Sequence, residues 1–212
     1  MWIEVWVSLS GVWANWWWGY NPASIQPLNL QKATLRQMHT AISKVQREEE
    51  VAAVARLAEE IWREHFTPII GAEQVVYMLD KFQSAKAISS QLDSGTEYYM
   101  ASVDELPVGY TALIPDESSS KLMISKLYVR RDRRGSGIGG DLLKFIESEC
   151  EKRKFTYLWL TVNRFNDGPI QWYCRQGFYK VDEVKKDIGG GFYMDDYIME
   201  KNLQAESAPA KS

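Results

Sequence analysis

The spacing of hydrophobic and polar positions changes several times along the chain, and each change marks an element. Residues 40–45 alternate briefly, as a short strand would. From Glu48 the period lengthens. Val51, Val54, Leu57, Ile61 and Trp62 recur at three- and four-residue spacing behind Glu48, Glu49 and Glu50, acids placed where a helix N-terminus favours negative charge. Thr67-Pro68 and Gly71 end that helix; a second is expected over 73–82 and a shorter one over 85–92. Two strands follow, 96–103 and 108–114, across the turn Asp104-Glu105-Leu106-Pro107.

A third alternating run, 122–129, leads into a glycine-rich turn, and helical spacing resumes at Ile138 with Leu142, Phe145, Ile146 and Cys150. That helix closes on Lys152, Arg153 and Lys154, cations suited to a C-terminus. The apolar run 157–162 reads as a buried strand. Strand, crossover helix and strand imply a parallel pair. A short helix is expected over 166–176, closed by Gly177, then a terminal hairpin of 178–184 and 192–199 joined by 185–191. The class is α/β, a mixed sheet with helices on both faces.

A chain of 212 residues suits one buried domain with an appendage. The net charge of −3 argues against general nucleic-acid binding. Two cysteines, Cys150 and Cys174, are too few for a disulfide framework and fit a reduced, cytoplasmic protein. Residues 1–37 differ from the rest: Trp2, Trp6, Trp13, Trp16, Trp17 and Trp18 crowd the start, and no charge lies between Glu4 and Lys32. The apolar stretch is too short and too interrupted for a transmembrane helix, and it lacks the basic start of a signal peptide. It reads as an extension outside the fold, with peripheral membrane or partner contact as the alternative. The domain is placed at 38–203, and 204–212 reads as a solvated tail.

The chemistry concentrates at Arg130-Arg131-Asp132-Arg133-Arg134-Gly135-Ser136-Gly137-Ile138-Gly139-Gly140. Glycines let backbone N–H groups crowd together, and the following helix start adds partial positive charge, so this turn suits phosphate. Lys121, Lys126, Arg130, Arg131, Arg133 and Arg134 face only one acid, Asp132, and suit a ligand with several phosphates such as coenzyme A. The turn also satisfies G-x-G-x-x-G. A Rossmann reading would set its first glycine at the strand end and an acid at the end of the next strand. Here four arginines intervene and that strand ends in Asn163. No Gly-Lys-Ser/Thr is present for a P-loop.

Arg134-Gly135-Ser136-Gly137-Ile138-Gly139, followed by Asn166 and then Tyr173-Cys174-Arg175-Gln176-Gly177-Phe178, resembles the two landmarks of the GCN5-related N-acetyltransferase (GNAT) superfamily in order and spacing. Pro169 stands where the family usually has alanine, and the first turn of a helix tolerates it. Trp159-Leu160-Thr161-Val162-Asn163 with residues 192–199 looks more narrowly like bacterial PaiA-type polyamine N-acetyltransferases. The resemblance implies a GNAT fold, its mostly antiparallel sheet splayed at a central parallel pair, with acetyl-CoA as co-substrate and no metal.

It also implies roles. The Leu127 backbone N–H would face the thioester oxygen, Tyr128 and Val129 would pair with pantetheine, and Arg133, Arg134, Gly135, Ser136, Gly137, Ile138 and Gly139 would hold the pyrophosphate. Asn166 would contact the pantetheine arm, and Tyr173 would be the general acid. Glu60, Glu64 and His65 are candidates on the acceptor side, and the general base is left open. An acidic rim of Glu59, Glu60, Glu64, Asp182, Glu183, Asp187, Asp195 and Asp196 would suit a polyamine. The expected activity is acetyl transfer to a primary amine of a small molecule. A protein N-terminus or lysine, or a non-catalytic acyl-CoA-binding module, are the alternatives. Relatives are commonly dimers, which leaves a homodimer open.

Overall fold

In this computed structural model the described residues are 40–204; the expected N-terminal extension 1–37, and all of the expected tail but Gln204, lie outside them. Seven strands among the described residues form one sheet in the order β1-β2-β3-β4-β5-β7-β6. They are β1 (Ala41–Lys44), β2 (Glu97–Val103), β3 (Leu106–Asp116), β4 (Lys121–Val129), β5 (Tyr157–Asn163), β6 (Tyr179–Gly189) and β7 (Phe192–Asn202). Only β4 and β5 pair in parallel. None of the helices described is long and apolar enough to cross a membrane.

Helix α1 (Glu48–His65) buries the apolar stripe expected of it, Val51, Val54, Leu57, Ile61 and Trp62. The short α2 (Thr67–Ile70) and α3 (Ala72–Met78) follow, then a π-turn at Leu79–Gln83 and α4 (Ala85–Asp93). These elements pack on one face of the sheet with Tyr98 and Tyr110. On the other face α5 (Ile138–Arg153) lays Leu143, Ile146 and Cys150 on Leu122, Leu158 and Leu160, joined by Tyr173 of α6 (Asp167–Arg175). Tyr98 and Tyr99 fall in opposite clusters, as the two-residue period of a strand requires. Each fully buried Leu or Ile contributes roughly 1.5–3 kcal/mol.

Three expectations change. Residues 73–82 are not one α-helix but α3 passing into the π-turn. Strand β3 is longer at both ends than 108–114. The terminal hairpin runs to Gly189 and resumes at Phe192, so most of the expected joining loop is strand. Edge strand β6 is exposed along most of its length, so nothing imposes alternation on Lys185, Lys186 and Asp187.

Candidate active site

The site is set by where β4 and β5 stop pairing. Their register comprises only Lys121 with Tyr157, Leu122 with Leu158 and Met123 with Trp159. Beyond that point β4 stays on β3 and β5 stays on β7, so the sheet opens between its two central strands. A bulge drives the departure. Ala112 pairs with Lys126 but Leu113 with Ile124, leaving Ser125 as the extra residue that bends β4.

Past the bulge the ladder decides which backbone groups face the gap. Arg130 N–H donates to the Val108 carbonyl at 2.8 Å. Hydrogen-bonded pairs alternate in an antiparallel ladder, so Tyr128 exchanges bonds with Tyr110 while Leu127 and Val129 turn their polar groups from β3 toward β5. Arg134 Nε reaches the outward Val129 carbonyl at 3.0 Å. Tyr128, expected to offer backbone groups, instead gives its peptide to β3 and its ring to the α1 face. There it sits 5.8 Å from Trp62 and 5.4 Å from Tyr110, centroid to centroid.

The glycine turn carries a single 3-10 turn, Arg131–Arg133, and then two left-handed residues, Gly135 (φ +78°) and Gly137 (φ +97°). A side chain at either would be strained, which is why the motif needs glycine there. Gly137 caps α5 with no side chain bonded to the cap. The first N–H groups of α5 lack intrahelical partners, a ready anion site. Lys121 and Lys126, counted with the bases of this turn, are elsewhere. Lys121 pairs with Glu200 at 2.7 Å. Lys126 is buried against Gln91 Oε1 at 2.6 Å, and burial lowers its ammonium to about 8.

The four arginines are engaged with acids. Arg130 forks onto Asp132 (2.6 and 2.8 Å), and Arg133 Nε lies 3.7 Å from Asp132. Arg134 and Arg131 both reach Glu64, at 2.9 and 3.5 Å, and Glu60 lies 3.9 Å from Arg130. Glu60 and Glu64, expected to face the acceptor, instead line an open cleft of about 560 Å³ with Ile61, Arg130, Arg131 and Asp132.

The Tyr-x-x-x-Gly-Phe landmark has a physical explanation. Phe178 N–H bonds the Tyr173 carbonyl (3.0 Å), Gly177 N–H bonds that of Cys174 (3.1 Å), and Gly177 is left-handed at φ +87°. This Schellman motif ends α6, with the usual apolar contact between its first and last residues, Tyr173 and Phe178 rings 5.4 Å apart. Tyr173 is therefore fixed from both sides. Burial holds its phenol protonated, well above the ordinary range. At the other end of α6, buried Asn166 places Oδ1 3.0 Å from His65 Nε2, tying α1 to the gap's rim. Burial first, opposed by that bond, leaves the His65 imidazole below its usual value and neutral. Cys174 is exposed on α6, while Cys150 is buried and its thiol pushed up to about 12.

Of the expected acidic rim, most members have partners: Glu59 with Arg63, Glu183 with Lys180 and Asp195 with Arg164. Asp196 differs. It is 5% exposed and raised to about 6 chiefly by burial, with the nearby Thr161 hydroxyl acting the other way. Nothing in the sequence separates it from Asp195; the strand period that turns one outward turns the other inward.

A glycine turn feeding a helix N-terminus, beside a sheet opened at its parallel pair, defines a CoA-dependent acyltransferase fold. The chain belongs to the acetyltransferase (GNAT) family, whose model matches residues 54–178, and is an acetyl-CoA-dependent N-acetyltransferase. It is 24% identical over 154 residues to an uncharacterised N-acetyltransferase from Lactobacillus delbrueckii subsp. lactis, covering 68% of this chain and 88% of that one. In fold it is similar to the PaiA N-acetyltransferase from Thermoplasma acidophilum in complex with coenzyme A (TM-score 0.66, 22% identity, 78% and 99% of the two chains). The ribosomal-protein-S18-alanine N-acetyltransferase from Escherichia coli is also similar (TM-score 0.59, 18% identity, 78% and 94%).

Proposed function

We propose that the chain moves acetyl from acetyl-CoA to a primary amine of a small molecule, with a polyamine as the leading acceptor. The amine attacks the thioester directly, through a tetrahedral intermediate and without an acyl-enzyme. The observation that carries this reading is the unpaired outer edge of β4, which offers N–H groups at Leu127 and Val129 inside the opened sheet. Pantetheine, an amide-bearing chain, completes that edge as an added strand. Asn166 borders the arm, and the N–H groups from Gly135 to Gly139 receive the pyrophosphate beside Arg133 and Arg134.

Leu127 N–H then donates to the thioester oxygen and stabilises the negative charge that develops as the amine adds. Collapse of the intermediate breaks the C–S bond, and Tyr173 supplies the departing sulfur with a proton. A phenol that burial keeps protonated is suited to giving one, and its hydroxyl makes no hydrogen bond to any of the described residues that would hold it back. The resemblance of residues 159–163 and 192–199 to PaiA-type polyamine N-acetyltransferases supports the acceptor class, and the fold is similar to that of the Thermoplasma protein that carries the PaiA name.

A turnover screen tests the proposal: purified protein, acetyl-CoA, and a panel of polyamines, amino acids, aminoglycosides and peptides, followed by thiol release. Turnover on polyamines above the others is expected. Activity confined to peptides would move the acceptor to protein N-termini, and no turnover on any amine would sink the proposal.

A further inference from the structure

We propose that the Asp196 carboxylate is the general base that takes the proton from the acceptor's ammonium. The inference rests on the function proposed above and supplies the group that reading lacks.

Its place in the sheet sets it at the gap. Asp196 on β7 stands opposite Asn163, the last residue of β5. Asn163 is four positions beyond Trp159, which pairs with Met123. Four positions along β4 from Met123, plus the extra residue Ser125, is Tyr128. Asp196 and Tyr128 therefore flank the open gap at one level, next to Leu127. Strand alternation puts both on the α1 face: Met194 packs in the α1 cluster two residues before Asp196, and Tyr128 packs there itself. Their proximity is also electrostatic, since the Tyr128 phenol is raised by burial first and then by Tyr173 and Asp196. A base, the thioester-facing N–H and the proposed acid thus converge on one gap.

Charge points the same way. Among the described residues Asp196 has no cation partner, although the other acids of the expected rim on α1 and Asp195 next to it do. A buried carboxylate without a counter-ion is costly unless a ligand supplies one. An ammonium is that ligand. The groups acting on Asp196 are few: Thr161 from β5, Asp195 on its own strand, and Tyr128 from β4, with uncharged Val184 opposite on β6.

An ordinary carboxyl (pKa ~3.9) would leave an alkylammonium (~10.4) protonated. Before the amine enters, burial raises Asp196 to about 6, and in the same gap it disfavours the ammonium; both effects oppose the mutual stabilisation of the ion pair that the two form. One N–H proton passes to Asp196, and the freed lone pair forms the C–N bond. When the C–S bond breaks, the sulfur takes Tyr173's proton, and a second nitrogen proton returns to Tyr173 through water. Asp196 then releases its proton to solvent.

The test is Asp196→Asn, assayed with acetyl-CoA and spermidine, or the screened amine of highest turnover, from pH 5.5 to 9.5. Acetyl-CoA binding by calorimetry confirms that the variant is folded. A 10²- to 10⁴-fold loss of kcat at pH 7 is expected. That loss should shrink about tenfold per pH unit above 7, and shrink likewise for an acceptor of pKa below 7 that arrives already neutral. The wild type should show an acid limb that the variant lacks. A kcat within threefold of wild type, or a raised acceptor KM with kcat kept, overturns the inference while leaving the acetyltransferase reading standing. Should Asp196→Asn not fold, an acid limb absent from the wild-type kcat profile overturns it. A wild type inactive on every amine brings down both.

Discussion

Replacing Tyr173 with phenylalanine removes one oxygen and leaves the ring packed as before, 5.0 Å from Trp172 and 5.4 Å from Phe178. The hydroxyl bonds to none of the described residues, so its loss orphans no partner. Stability should therefore change little, with Tm within about 3 °C of wild type. Catalysis should not survive so well. A positioned general acid contributes about 10²–10⁴-fold, or roughly 2.7–5.4 kcal/mol of barrier. A thiolate of pKa ~8.5 leaves more readily than an alkoxide, so the lower end, about 100-fold in kcat, is expected. Thiol release at saturating acetyl-CoA and amine gives kcat, and calorimetry gives the acetyl-CoA Kd, which should stay within twofold. A kcat within threefold of wild type would refute the acid role. A Kd weakened tenfold with kcat kept would make Tyr173 a binding residue instead.

Removing the carboxylate at Glu64→Ala frees Arg134 and Arg131 for phosphate; the two partly exposed pairs are worth about 0.2–1 kcal/mol each, so CoA Kd should fall about two- to thirtyfold by calorimetry, and an unchanged Kd would contradict that competition. A Cβ at Gly109 would lie 2.7 Å from the Tyr128 carbonyl oxygen, so Gly109→Ala should push β3 from β4, cost about 1–3 kcal/mol and lower Tm by several degrees in a thermal melt. His65 is held below its normal value when folded, so below about pH 6.5 the unfolded chain takes up a proton the fold resists, and stability falls as pH drops. His65→Gln should lose that part of the decline between pH 7 and 5. Asp196 works in the opposite sense: raised in the fold, it favours stability at low pH and costs it as pH rises through about 6, so Asp196→Asn should melt higher at pH 7.5.

Where one face of an element is buried, the sequence shows it. The stripe of α1, the alternation of β2 and β4 and the Schellman end of α6 each leave a local pattern that fixes type and position. Exposed β6 leaves none, and its length emerged only from its pairing with β7. The π-turn at Leu79–Gln83 is likewise silent, since a π-turn and an α-turn differ by one residue in hydrogen bonding and little in composition. Around the candidate site, the left-handed glycines and the capped helix end at Tyr173 could be read because backbone strain and helix capping act locally. The bulge at Ser125, the turning of Tyr128's peptide to β3, the pairing of Glu64 with Arg134 and the burial of Asp196 depend on residues far apart in the chain. Only tertiary contact reveals those.

In the proposed reaction the outward N–H groups of β4 receive the co-substrate inside the opened sheet. Residue-resolved amide exchange, with and without coenzyme A, reads that contact amide by amide. Leu127 and Val129 amides should slow markedly when coenzyme A is added, together with those at the start of α5. Tyr128 should change little, its N–H being already committed to Tyr110. Saturating coenzyme A that leaves Leu127 and Val129 exchanging at their free rates would contradict the account.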